Sequence, residues 1–528
     1  MNYAGATTST SPARMRPRAR TVIHQQNAGK LDLASRLQQL LPAQRPSLPE
    51  ACFLLVVLAS LLLVTFTFRD YGFTHDEIFG YRRALNIYKY LASFGADISG
   101  VSEFTLVSFY GAMPDVLGMI LQNMFPSLGL DARHLVSGLF GTVAIYYAGR
   151  IARMTAGPRT GALAALLLLL CTFWTGYSFI NLKDIPFAAC LLGALYSAMR
   201  VLDSESRKLW PSYLMLAFWG GALATCKLTG ILILGVFILV MYGSAAAEGR
   251  WLPLPTLAKR VAVAALSGLA GIAVFSVVFW PQIYIFTPSQ LYEVVTSFIS
   301  FPGWQSTVLL AGRSYGHDEI PRSYLITYLV IGIPLALWFL YLAGTALAVN
   351  NRDWRVLGIA LLAPLMLLIQ FATQSLVYNG ARHLLFVVPF LMIAAAYGIT
   401  RLSMLGTLGK SAAVVLGLSY AAASIYNTVT LYPYQYSAYN MLVGGLSGAQ
   451  NRYYVDVWKS AHREALLSIP PSLSGNPITV FSCGSILTYA GMPDIRPVRR
   501  PENAQYVVAL PRGCPPSDFV NFRPIHEI

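Results

Sequence analysis

Two adjacent carboxylates, Asp76 and Glu77, close the run from Tyr71 to Glu77, just beyond the first long apolar stretch of the chain. Carboxylates do not stay unpaired in hydrocarbon, so they must lie at a membrane surface or in a wet cavity, where they can do acid/base work. A third acid, Asp184, sits in the run from Asn181 to Phe187. Pro186 suits the first turn of a helix, and Asp184 just ahead of it can cap that helix; capping alone or a share in the chemistry would each account for it. Lys183 stands beside it. Three further isolated cations follow: Lys227, before Leu228 and Thr229, and the pair Arg382 and His383, after Asn379, Gly380 and Ala381. A lone cation at membrane depth is costly unless it snorkels to the interface or faces an anion, for which phosphate is the candidate. Arg382 offers a planar fork to phosphate oxygens, and Lys227 a point charge.

These residues need a scaffold, and composition names its solvent. Hydrophobic residues make up 55% of the 528 and charged ones 12%, against roughly 25% charged in soluble domains, which excludes an ordinary cytosolic protein. The formal charge of +15 invites a nucleic-acid partner, but the cations sit in a polar N-terminal tail or bracket apolar runs, as topology signals do, so no nucleic acid is expected. Residues 1–48 are polar and basic and are expected to be disordered. The apolar stretch from Ala51 to Phe68 starts too late for a signal peptide and is expected to remain as the first span.

Further runs fall near 134–152, 160–179, 185–202, 211–225, 229–244, 261–282, 324–346, 356–374, 384–400 and 411–428, which gives about eleven transmembrane helices in an α-helical polytopic membrane protein. Every second turn is basic: Arg150, Arg153 and Arg159; Arg200, Arg207 and Lys208; Arg250, Lys259 and Arg260; Arg352 and Arg355; Arg401 and Lys410. Those turns are expected in the cytoplasm with the N-terminus. The alternate loops, holding Asp76, Lys183, Asp184, His317, Asp318, Arg382 and His383, then gather on the extracytoplasmic face with the C-terminus.

The first outer loop, 69–133, is too long for a plain connection. Within it the run from Ala84 to Phe94 has helical apolar spacing, read foremost as a surface helix. Beyond residue 430 the chain turns polar. Val457 to Ile469 reads as a helix, and Ile478 to Phe481 and Tyr506 to Leu510 as strands, so a small extracytoplasmic α/β domain is expected over 431–528 after a membrane domain over 49–430. The tyrosines from Tyr432 to Tyr439 are read as an interfacial girdle. Four cysteines, Cys52, Cys171, Cys190 and Cys226, are read as packing residues. Cys483 and Cys514 fall where a disulfide can form.

The acidic pair in a long first loop, the Lys183 to Phe187 turn, the Lys227 to Gly230 turn and the Arg382 to Phe386 run followed by Pro389 together resemble the polytopic glycosyltransferases of the C-type fold, across roughly residues 51–430. The nearest branch holds the protein O-mannosyltransferases and the aminoarabinose transferases of lipid A. The loop from Gly303 to Pro321 is similar to a family loop that covers the site. The resemblance implies a polyprenyl-phosphate sugar donor, transfer to an acceptor hydroxyl on a protein, lipid or polysaccharide, and inversion at the anomeric carbon. In that scheme Asp76 is the catalytic base, and Glu77 or Asp184 orients the acceptor or takes the base role. Lys227, Arg382, His383 and Lys183 hold the donor phosphate. No metal is assigned, although His75, Asp76, Glu77, His317 and Asp318 leave a divalent ion open. A transporter or flippase of lipid-linked sugars is the alternative; the chain shows no internal repeat of the kind transporters carry.

Overall fold

The computed structural model describes residues 46–105, 109–206, 208–297, 306–373, 375–472, 476–482, 492, 494–509, 514–519 and 521–526. The N-terminal tail expected to be disordered and Cys483 lie outside them; Cys514 is disulfide-bonded.

Each apolar run folds as helix. In chain order these are α1 (Leu48–Thr67), then α2 (Glu77–Ala92) and α3 (Met113–Met124) in the first loop, α4 (Ala132–Ala156), α5 (Pro158–Leu170), α6 (Thr172–Ile180), α7 (Asp184–Leu202), α8 (Trp210–Cys226), α9 (Thr229–Ala247) and α10 (Leu254–Phe279). The second half adds α11 (Tyr324–Gly332), α12 (Leu335–Asn350), α13 (Trp354–Thr373), α14 (Val388–Leu402) and α15 (Gly406–Thr430). Among the described residues eight helices are long and apolar enough to cross a membrane, or ten if each of two bent pairs is one span. All eleven expected runs are helical, and the count differs at one of them. The run at 211–225 forms α8, whose 17 residues fall just short. The runs at 160–179 and 324–346 are bent, by 64° between α5 and α6 and by 106° between α11 and α12. At the second bend Ile333 is extended ahead of Pro334, as a residue before proline must be.

Burial sorts the helices. The spans holding α7 and α14 are 89% buried over their apolar windows, whereas α10 is 11% buried and α1 17%. The two former make the centre, and the outer helices present leucine, valine and phenylalanine outward, as lipid-facing helices do. Glycines let backbones meet: a Cβ on Gly344 of α12 would stand 2.0 Å from Ala394 O of α14, the small-residue packing typical of membrane helices. This is an integral membrane protein.

The basic turns come together at one end. Arg355 Nε donates to Glu248 at 2.6 Å and its Nη1 to Met154 O at 3.1 Å. Arg401 pairs with Asp353 at 2.7 Å, and Arg260 Nη1 donates to Val201 O and Asp203 O.

A hairpin between α10 and α11 packs on the chain that follows α15, and a small sheet lies beyond it. Strands β1 (Val308–Leu310) and β2 (Arg313–Tyr315) pair antiparallel, and Gly312 N donates to Arg452 O at 3.0 Å. Strand β3 (Ile478–Ser482) lies between β4 (Ile495–Pro497) and β5 (Tyr506–Val508), parallel to both. The helix expected over 457–469 is only His462–Leu467, because Lys459 adopts a left-handed φ of 59° and the Asp456 carboxylate accepts from Ser460 N and Ala461 N. The tyrosine tract is a girdle at most in its first half, where Tyr432 is exposed. Tyr436 and Tyr439 are buried, their hydroxyls held by Asp456, Ser460 and Tyr454 O, since a buried phenol needs a partner.

Candidate active site

The site lies where the central helices begin. Asp184 opens α7, and Arg382 opens the short 3-10 turn Arg382–Val387 that runs into α14. Both helix N-termini carry the positive end of the backbone dipole toward this point. Asn181, unremarked in the sequence, takes the capping role expected of Asp184: its Oδ1 accepts from Asp184 N at 2.8 Å and Lys183 N at 3.3 Å, and its amide donates to Asp184 Oδ2 at 3.0 Å. The Asp184 carboxylate is thereby left to face the Lys227 ammonium, with which it pairs closely, and the Arg382 Nε at 3.8 Å.

Arg382 is buried, and its Nη1 donates to Asp76 Oδ2 at 2.7 Å; the Asp76 side chain is 46% exposed. The guanidinium lies between two aromatic faces, Tyr378 and Trp458, each 4.8 Å from its carbon. Stacking of this kind favours arginine over lysine. Lys183 extends over the Tyr110 ring at 3.6 Å. His383 stands against Tyr378 with ring centroids 5.0 Å apart. The nitrogens Arg382 Nε and His383 Nε2 are buried without a hydrogen-bond partner among the described residues, which is costly in itself, and the Arg382 Nε–H is a donor able to receive an incoming anion. Sequence reasoning gave no role to Asn181, Tyr110, Tyr378 or Trp458; Asn181 and Tyr378 adjoin the charged motifs, whereas Tyr110 and Trp458 lie far from them in the chain.

Three contacts fix the turn that bears Asp76 against the segment 458–463. His75 N donates to Trp458 O at 3.2 Å, and Arg463 Nη1 donates to Tyr71 O at 2.9 Å. Gly72 packs so tightly that a Cβ there would stand 1.9 Å from Ser460 O.

Glu77 goes elsewhere. Being the first residue of α2, it points away from Asp76 and into a buried network. Its Oε2 accepts from Thr74 N at 2.6 Å and Thr74 Oγ1 at 3.1 Å, and its Oε1 faces His134 at 3.3 Å and Arg133 at 3.7 Å. Asp115 joins Arg133 at 2.6 Å and Arg83 at 2.5 Å. Burial alone would lift the Glu77 carboxyl, but His134, Arg133 and the Thr74 amide hold it below its ordinary value. Asp115 is likewise held low by Arg83 and Arg133 against its burial. His317 and Asp318 pair with each other at 2.7 Å at the exposed surface. Among the described residues no three His, Cys, Asp or Glu side chains converge as metal ligands.

Residues 119–280 match the family described as dolichyl-phosphate-mannose-protein mannosyltransferase. The apo structure of ArnT from Cupriavidus metallidurans is similar over 81% of this chain and 82% of that one, at 15% identity and a TM-score of 0.51. The chain has the C-type glycosyltransferase fold. ArnT bound to undecaprenyl phosphate aligns over the same shares with a TM-score of 0.49, and the Archaeoglobus fulgidus oligosaccharyltransferase over 86% of this chain and 65% of that one, at 13% identity and 0.44. No curated protein matches the chain in sequence.

Proposed function

We propose that this chain is a membrane glycosyltransferase that moves a sugar from a polyprenyl-phosphate donor to an acceptor hydroxyl, on a protein, lipid or polysaccharide, at the extracytoplasmic face of a bacterial inner membrane. The observation that carries this reading is the convergence of Asp76, Asp184, Lys227 and Arg382 at the N-terminal ends of the two central helices. The family matched by residues 119–280, whose description names a dolichyl-phosphate sugar donor, supports it. In this reading the tail 1–48 and the basic turns are cytoplasmic, 49–430 is the transfer domain and 431–528 the outer domain.

Charge makes the site suited to a phosphodiester. Lys227 and Arg382 face Asp76 and Asp184, and Lys183 beside them completes its charge as a phosphate arrives, so the surplus positive charge in the loaded site matches the single negative charge of a lipid-phosphate sugar. In the transfer step the acceptor oxygen attacks the anomeric carbon from the face opposite the phosphate, and the bond from that carbon to the phosphate oxygen breaks. The acceptor proton passes to Asp76. That proton neutralises Asp76 just as the departing phosphate gains its second negative charge, so Arg382 exchanges one anion for another and its buried charge is matched throughout. Lys227 stabilises the same phosphate, and Asp184 holds Lys227 in place. His383 lies at the edge of this group. Glu77 orients the Asp76 turn from behind through its network rather than meeting the acceptor.

The test is to incubate the purified protein with labelled polyprenyl-phosphate sugar and candidate acceptors. Appearance of a glycoside of inverted anomeric configuration supports the reading. Movement of intact lipid-linked sugar across a vesicle bilayer, with no glycoside formed, contradicts it.

A further inference from the structure

At the end of the bundle where the basic turns gather, the partly buried arginines among the described residues are met by acids or carbonyls, with two exceptions. Arg355 pairs with Glu248 and Arg401 with Asp353, Arg250 with Glu205 at 3.1 Å, and Arg260 with two carbonyls at the end of α7. The exceptions are Arg150 of α4 and Arg200 of α7. Both are partly buried, and among the described residues neither has a carboxylate partner.

Instead the two converge on one phenol. Arg150 Nη2 donates to the Tyr196 hydroxyl at 2.9 Å, and its guanidinium carbon lies 5.6 Å from the centre of the Tyr196 ring and 5.8 Å from that of Tyr146. Arg200, one turn further along α7, reaches the same hydroxyl, while its Nε is buried without a hydrogen-bond partner among the described residues. Two like charges held at one oxygen repel, and aromatic faces offset only part of that. A phenol that accepts from arginine still has its own proton to donate. The arrangement therefore brings two positive charges and several donors to one point, and the group that would satisfy them is an anion with more than one oxygen, such as a phosphate.

Position selects the source of that phosphate. Arg200 follows Asp184 by sixteen positions of α7, about 24 Å along the axis, so the donor phosphate beside Asp184 cannot reach it. Arg150 precedes the end of α4 by six positions, about 9 Å, which sets it at headgroup depth rather than in open water. The seam between α4 and α7 is flanked by α1 and α8: Tyr146 meets Phe53 with ring centroids 5.7 Å apart, and Tyr147 meets Trp219 at 5.4 Å. Those two outer helices present Leu54, Leu58, Leu214 and Phe218 outward, so acyl chains lie alongside the cluster.

We propose that Arg150, Arg200 and Tyr196 hold the phosphate of an anionic phospholipid, in the leaflet opposite the one that presents the donor. Basic pockets between spans suit such headgroups, and the site is occupied whatever sugar the chain transfers.

The experiment titrates phosphatidylglycerol, phosphatidylcholine or inorganic phosphate into the full-length protein in neutral detergent, following bound lipid by native mass spectrometry together with the thermal midpoint. The wild type is expected to bind phosphatidylglycerol about tenfold more tightly than phosphatidylcholine and to gain in midpoint with it, as a ligand of the folded state confers. Inorganic phosphate at the same concentration should not reproduce that gain. The double variant Arg150→Gln with Arg200→Gln should bind phosphatidylglycerol about tenfold more weakly, the scale of one charge-assisted hydrogen bond. Arg159→Gln, in the adjoining exposed turn, should leave that affinity within about twofold, as expected of a solvated charge. If the double variant fails to fold, Tyr196→Phe carries the comparison, with an expected loss of about threefold. Equal binding of the two lipids by the wild type, affinity retained by the folded variants, an equal loss in Arg159→Gln, or the same stabilisation by inorganic phosphate would each overturn the proposal.

Discussion

Arg382 Nη1 and Asp76 Oδ2 meet at 2.7 Å across 306 positions of sequence, joining the start of a central helix to the long first loop. One partner is buried and the other half-exposed. The pair therefore hands a charge from the interior of the bundle to a surface an acceptor can reach, and several outcomes follow from that arrangement.

The two ends of the bundle should face different compartments. With the free thiols replaced, a cysteine at exposed position 318 should react in intact cells with a membrane-impermeant maleimide, and one at position 352 should react only after the membrane is opened. Equal labelling of both in intact cells contradicts the orientation.

Asp184 is 4% exposed and its partner Lys227 17%. Replacing Lys227 with Met leaves a buried carboxylate short of its nearest cation, which costs about 3–5 kcal/mol where such pairs are broken, read as a lower thermal midpoint in detergent. The double variant Lys227→Met with Asp184→Asn should regain most of that stability without regaining transfer. Activity in the stable double variant would exclude both from the site.

Acid should loosen the first loop through Glu77. Its folded pKa lies below the ordinary 4.5, so its stabilising share is complete above 4.5 and is lost as pH falls through the lower, folded value. Glu77→Gln should cost roughly 1–3 kcal/mol at neutral pH and flatten the acid limb of the thermal midpoint. An unchanged limb would sink this assignment.

Lys183 behaves in the opposite sense. Burial, then Lys227 and Arg382, push its ammonium down to about 7, so near neutral pH it is only partly charged. An arriving phosphate favours the ammonium and raises its pKa, so binding should take up a proton. Affinity for undecaprenyl phosphate should then weaken as pH rises through the bound-state pKa. Calorimetry in buffers of differing ionisation enthalpy measures the uptake, and Lys183→Met should abolish it.

The spans, the basic turns and the cluster of Asp76, Asp184, Lys227 and Arg382 were all legible in the sequence, because hydropathy and isolated charge are local properties. The role of Glu77 was not. Neighbouring residues at a helix start diverge by about 100° around the axis, so adjacency to Asp76 said nothing about shared direction, and only the fold brings Arg133 and His134 to it. Trp458 and Tyr378 were hidden for a related reason. An aromatic residue becomes part of a charged site only through the packing that sets it on a guanidinium, and that packing joins segments far apart in the chain. Tyr436 and Tyr439 could not be told from interfacial tyrosines because an amphipathic phenol suits a membrane interface and a hydrogen-bonded interior alike.

The central claim is that Asp76 takes the acceptor proton while Arg382 holds the phosphate. The most direct measurement is single-turnover transfer by Asp76→Asn beside its affinity for undecaprenyl phosphate. The account predicts a rate lowered by about 10²–10⁴, the usual contribution of a general base, with lipid-phosphate affinity equal to or above that of the wild type because Arg382 loses its competing anion. Transfer at the wild-type rate by the Asn variant would contradict it.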